Sequence, residues 1–164
     1  MIRAHFRHCV IIALLAATIP TAQAAEPTTV TVHDAWARAT PPGIRVGGGY
    51  VTVANTGKQA DRLVGASSPL AEKAEIHISE TVDGMARMRH LKDGVKIPAG
   101  KEVILAPGGI HLMFLGLKQA IVKDEVVPVT LQFERAGEID VQLRAAQIGS
   151  LKAPASTEDA THAH

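Results

Sequence analysis

Between residues 29 and 144 the chain is cut into short alternating runs, and this rhythm limits its possible folds more than any other feature. The runs are residues 29–32, 49–54, 62–65, 74–79, 85–91, 95–97, 102–105, 111–115, 126–133 and 139–144. Turn formers close them: Asn55-Thr56-Gly57, Asp83-Gly84, Asp93-Gly94, Pro98-Ala99-Gly100 and Pro107-Gly108-Gly109. Period-two alternation bounded by such residues marks strands. Many short strands at close spacing predict an all-β chain, an antiparallel β-sandwich or Greek-key barrel. No stretch keeps a helical period over three turns. Residues 68–73 suit one helical turn, with Ser68 as N-cap and Pro69 at the first position.

Residues 1–24 stand apart from this pattern. Arg3 and Arg7 precede an apolar run over residues 10–19, and Ala22-Gln23-Ala24 offers a small-x-small cleavage site. That is the layout of a secretory signal peptide. The run is too short to span a bilayer as a mature helix. The expectation is cleavage after Ala24, a single domain over residues 25–150, and a flexible tail over 151–164 that is rich in Ala, Pro, Ser, Thr and Asp. No second long apolar run follows, so a soluble periplasmic protein is expected, with no membrane association after cleavage.

Loss of Arg3 and Arg7 with the leader would take the formal charge from +1 to −1. A near-neutral chain has no electrostatic footprint for nucleic acid. Cys9, the only cysteine, lies in the leader. The mature protein then has no disulfide and no thiol nucleophile, and its stability must come from a core. Its position is also too early, and too far from the cleavage site, for lipidation.

Four residues carry recognisable chemistry: His77, Met88, His111 and Met113. One residue separates His111 from Met113, so on a strand both point to one face. A hairpin around residues 81–84 would bring Met88 near His77. Thioether sulfur is soft and uncharged and suits Cu(I), and imidazole also binds copper well. No cysteine set for structural zinc and no acidic loop for calcium or magnesium is present. Taken singly, each of the four is better explained by packing or by surface exposure. The combination favours a metal site, because two of the three methionines beyond the leader each sit near a histidine.

Other candidates are weaker. Met85 would face away from Met88 on a regular strand, and only a bulge would make it an alternate ligand. His90 reads as exposed. His162 and His164 would give the tail a second, weaker site for Cu(II), which favours nitrogen and oxygen donors. His33 has no evident partner, and Trp36 reads as a packing anchor.

The stretch from residue 34 to about 137 resembles the PCu(A)C family of periplasmic copper chaperones. The resemblance rests on Asp34-Ala35-Trp36-Ala37-Arg38, on Gly49-Tyr50-Val51-Thr52-Val53, on Ala74-Glu75-Ile76-His77, and above all on Pro107-Gly108-Gly109-Ile110-His111-Leu112-Met113. It implies a cupredoxin-like fold and a Cu(I) site made by His77, Met88, His111 and Met113. It also implies a monomer that delivers copper to a recipient such as cytochrome c oxidase subunit II or a Sco-type protein, towards the Cu(A) site. The chain departs from the family pattern in two places. The Met88–His111 gap is one residue longer, and Ser79 stands where many members carry a methionine.

No nucleophile elbow, phosphate loop or paired-carboxylate motif is present, so no enzyme is expected. The missing cysteine also argues against a blue-copper electron-transfer site. The alternative is a periplasmic β-sandwich interaction or assembly module that binds no metal.

Overall fold

The structure is a computed structural model that describes residues 29–154. The expected leader with Cys9, and His162 and His164 of the tail, lie outside the described residues.

Ten strands follow in order: β1 (Val30–Arg38), β2 (Val46–Asn55), β3 (Asp61–Ser67), β4 (Lys73–Val82), β5 (Met85–His90), β6 (Val95–Ile97), β7 (Lys101–Leu105), β8 (Ile110–Leu115), β9 (Val126–Phe133) and β10 (Gly137–Ala146). The chain is all-β, and no helix occurs among the described residues. Each expected run falls on a strand, except that Thr29 and Leu91 lie just outside β1 and β5. β1 extends well past the expected residue 32, because its register with β2 shifts between His33 and Trp36. There Asp34 adopts a φ of 49°, and the strand resumes beyond this bulge. The helical turn expected at residues 68–73 is a plain turn instead. The Ser68 hydroxyl accepts the Leu70 N–H at 3.3 Å, and the chain then enters β4 at Lys73.

Seven strands close a ring in the order β4-β8-β2-β1-β10-β9-β3, and β3 pairs back to β4 at Ala66 and Ala74. Only β1 and β10 pair in parallel. β2 lies deep in this ring. One edge pairs with β1, and the other pairs with β8 over Val46–Gly49 and with β7 over Val51–Asn55. The interior is filled by Val51, Val53, Leu63, Ile76, Leu112, Phe114, Leu131 and Leu143, all essentially without exposure. Burial of such side chains is the main stabilising term, about 1.5–3 kcal/mol each.

A second, smaller cluster sits on the outer face of the sheet, where Trp36, Tyr50 and Ala146 pack together. It keeps β2 buried on both faces. It also walls one side of the surface that carries the histidines and methionines.

Candidate metal centre

Alternation along β4 and β8 assigns every side chain to one of two faces. Ile76, Leu112 and Phe114 take the core face. Glu75, His77, His111 and Met113 therefore share the outer face. The β4–β8 register sets Glu75 opposite Met113 and His77 opposite His111. The two imidazole centroids lie 6.2 Å apart.

The β4–β5 hairpin adds the fourth residue. Asp83 and Gly84 have φ values of 52° and 75°, the conformation of a two-residue type I′ turn. This turn fixes the register, with Met88 opposite Ser79 and His90 opposite His77. Met88 thus lies diagonal to His77 on the same face. Met88, His111 and Met113 line one open depression of about 390 Å³, together with Gly48, Tyr50 and Arg38. His77 stands next to His111, just outside that lining. The four expected residues are therefore gathered on one face, graded from His111 at 8% exposure to Met88 at 53%. Met85 is turned to the opposite face, since β5 pairs with β4 without a bulge.

Two hydrogen bonds orient the imidazoles. His111 Nδ1 lies 3.0 Å from the Gly109 carbonyl oxygen. A carbonyl only accepts, so Nδ1 carries the proton and Nε2 keeps the lone pair. His77 Nε2 lies 2.9 Å from Glu75 Oε2, an acceptor at neutral pH. In the neutral ring this leaves the lone pair on Nδ1, which is buried and has no hydrogen-bond partner. A buried polar atom left unpaired costs about 1–3 kcal/mol. The hydrogen bond from His77 also holds the Glu75 carboxyl below its ordinary range, against the opposing effect of burial.

Several neighbours were not placed beside these residues by the sequence reading. His90, read as exposed, stacks on His77 with centroids 5.3 Å apart and planes 7° from parallel. Its Nδ1 lies 3.7 Å from Glu75 Oε2. The Asp83-Gly84 turn contained this information: a two-residue loop that pairs Val82 with Met85 must pair His77 with His90. Trp36 is the packing anchor it was expected to be. Its ring meets Tyr50 at 4.3 Å, and Tyr50 in turn lies 6.5 Å from His111. Arg38 covers Tyr50 with its guanidinium 5.5 Å from the ring centroid. Burial pushes the Tyr50 phenol above its ordinary value, so it stays protonated and is a poor anionic ligand. His33 does have partners, Asp34 at 2.9 Å and Glu102 at 3.4 Å.

Comparison with known proteins agrees with this architecture. The protein described as "Putative lipoprotein Lxx21020", from Leifsonia xyli subsp. xyli, is 38% identical over 104 residues. That match covers 63% of this chain and 61% of the relative's length. DR1885 from Deinococcus radiodurans has solution structures of an apo form and a Cu(I) form, each 31% identical to this chain. The apo form superposes with a TM-score of 0.57 over 87% of this chain and 97% of that one. The Cu(I) form gives 0.56 over 82% and 87%. The apo PCuAC domain of PmoF1 gives 0.61 at 25% identity, covering 73% of this chain and 94% of that domain. The fold is thus the cupredoxin-like barrel of PCuAC-like domains. A family model described as "Putative lipoprotein LpqE-like" matches residues 30–145, from the first strand to the last, and the chain belongs to that family.

Proposed function

We propose that this protein is an exported copper metallochaperone that carries Cu(I) on His77, Met88, His111 and Met113 and passes it to a partner. The observation that carries the reading is the pair of facing imidazoles, each with one nitrogen engaged and one lone pair left over, set on one face with two thioethers. Two nitrogens and two soft sulfurs match Cu(I). The Cu(I) form of DR1885 supports copper as the cargo.

Release would be associative. Met88 is the most exposed of the four and sits on the edge strand β5. An incoming ligand from the recipient can replace this sulfur before the histidines let go. The reading is one of metal transfer, with no enzymatic step. The leader-like pattern of residues 1–24 and the lipoprotein names of the relatives support export to the cell envelope, with the periplasm as the proposed compartment. The recipient would be an acceptor such as cytochrome c oxidase subunit II or a Sco-type protein, on its route to the Cu(A) site, with the chaperone acting as a monomer.

The test is an anaerobic Cu(I) competition titration with a chromophoric chelator, comparing the parent with a Met88→Ala, Met113→Ala double variant. One tight equivalent in the parent, lost or much weakened in the variant, is the expected result. Equal, weak binding in both would make the methionines packing residues and return the protein to an interaction module.

A further inference from the structure

We propose that Glu75, His77 and His90 form a second, nitrogen-and-oxygen site for Cu(II), which shares His77 with the Cu(I) site and so excludes it. The choice of copper rests on the function proposed above, while the donor cluster does not.

Glu75, His77 and His90 each offer a ligand atom, all within 4.8 Å of one another. His77 Nε2 and His90 Nδ1 lie 2.9 Å and 3.7 Å from the same carboxylate oxygen. The longer separation is not a hydrogen bond. Both fit donors around one ion. Bonds of about 2.0 Å put neighbouring donors about 2.8 Å apart and opposite donors about 4 Å apart. The cluster is built by the sheet and not by chance rotamers, because His77 and His90 are direct partners across β4 and β5. Glu75 lies two residues from His77 on the same face.

Two imidazoles and a carboxylate contain no sulfur. Such a set favours Cu(II) over Cu(I), and Cu(II) over the other divalent first-row ions. The thioethers Met88 and Met113 have the opposite preference. The oxidation state of the ion would therefore select which neighbours of His77 join it.

His77 can serve only one site at a time. A neutral imidazole has one lone pair. With Nε2–H donated to Glu75, the free electron pair is on Nδ1, as the Cu(I) site needs. Binding of Cu(II) at Nε2 requires that proton to move to Nδ1 of the same ring, where it takes up the lone pair that Cu(I) would use. No electron is transferred in this exchange. The domain would thus hold one copper ion in either state, never two.

The experiment titrates the full chain with Cu(II), followed by electron paramagnetic resonance and by competition, and with Cu(I) anaerobically. Four proteins are compared: the parent, His90→Ala, the Met88→Leu, Met113→Leu pair, and the His162→Ala, His164→Ala pair. His90 is on an exposed edge strand, so its variant should fold, and its thermal melt checks that. The expected result is a loss in Cu(II) affinity of about 10- to 100-fold for His90→Ala, with Cu(I) affinity near the parent's. The methionine pair should do the reverse. Unchanged Cu(II) binding in His90→Ala, or its loss in the tail pair instead, overturns the proposal. So does binding of one Cu(I) and one Cu(II) together. If Cu(II) binding depends on His90 but Cu(I) binding ignores the methionines, the chaperone reading fails while this site stands.

Discussion

His77 and His111 face each other across the β4–β8 ladder with ring centroids 6.2 Å apart, and each already has one nitrogen engaged. Glu75 holds one ring and the Gly109 carbonyl holds the other. His90 lies on the far side of His77 and has no part in this pairing. His111→Ala should therefore weaken Cu(I) by about 100-fold or more, the upper end of what even outer-shell losses cost. His90→Ala should change it by no more than about threefold, within the spread of indirect effects. Chelator competition under argon measures both. Equal losses would sink the ligand assignment.

Glu75 acts on Cu(I) only through His77. A glutamine at this position keeps an oxygen that can accept the Nε2–H, whereas alanine removes it. Glu75→Gln should hold Cu(I) affinity close to the parent's, and Glu75→Ala should lose about 10- to 100-fold, as outer-shell partners of metal-bound histidines usually do. If both variants bind Cu(I) like the parent, the hydrogen bond does not set the ring.

Much of this surface was legible in the sequence, for reasons that differ from residue to residue. His111 and Met113 are adjacent on one face by strand period alone, and their place needed no fold. Met88 needed only the hairpin turn. His90 is exposed, as it was read, but its register with His77 follows only from counting outward from Asp83-Gly84, and that step was not taken. Tyr50 was hidden for another reason. It reaches His111 through the pairing of β2 with β8, two strands far apart in the chain, and no local pattern announces that. The same holds for His33 and Glu102, which meet between β1 and β7 across β2. β1 was read short because Asp34 breaks its alternation at a bulge.

His33 gives a pH dependence with a definite sign. Its hydrogen bond to Asp34 is the largest influence and, with Glu102, raises its pKa from 6.5 despite some burial. A raised value in the folded state means the contribution is fully present below pH 6.5 and lost as pH rises through the folded value. The side chain is 46% exposed, so solvent screening limits the contribution. About 0.2–1 kcal/mol is the scale for such pairs. Melting temperature measured from about pH 5.5 to 8 should fall slightly more in the parent than in His33→Gln. Parallel curves would mean the pairs contribute nothing.

Gly48 and Gly49 are successive residues of β2, and their Cα atoms point to opposite worlds. A Cβ on Gly49 would stand 2.8 Å from a Leu143 methyl and 3.0 Å from the Phe114 ring, both fully buried. Neither neighbour has room to retreat, so Gly49→Ala should cost about 1–3 kcal/mol, the usual penalty of overpacking. A Cβ on Gly48 would instead meet the Tyr50 hydroxyl at 2.8 Å, on the face of the depression. That hydroxyl ends a buried ring packed on Trp36, but it faces the open depression, so it has more room to yield than Leu143 or Phe114. Gly48→Ala should lose clearly less stability in urea than Gly49→Ala, yet add bulk directly opposite Met113. Its effect should appear in the rate at which a chelator takes Cu(I) from the protein, because the added methyl narrows access beside one sulfur. A stability loss equal to that of Gly49→Ala would mean that Tyr50 is as fixed as the core and that the depression cannot yield.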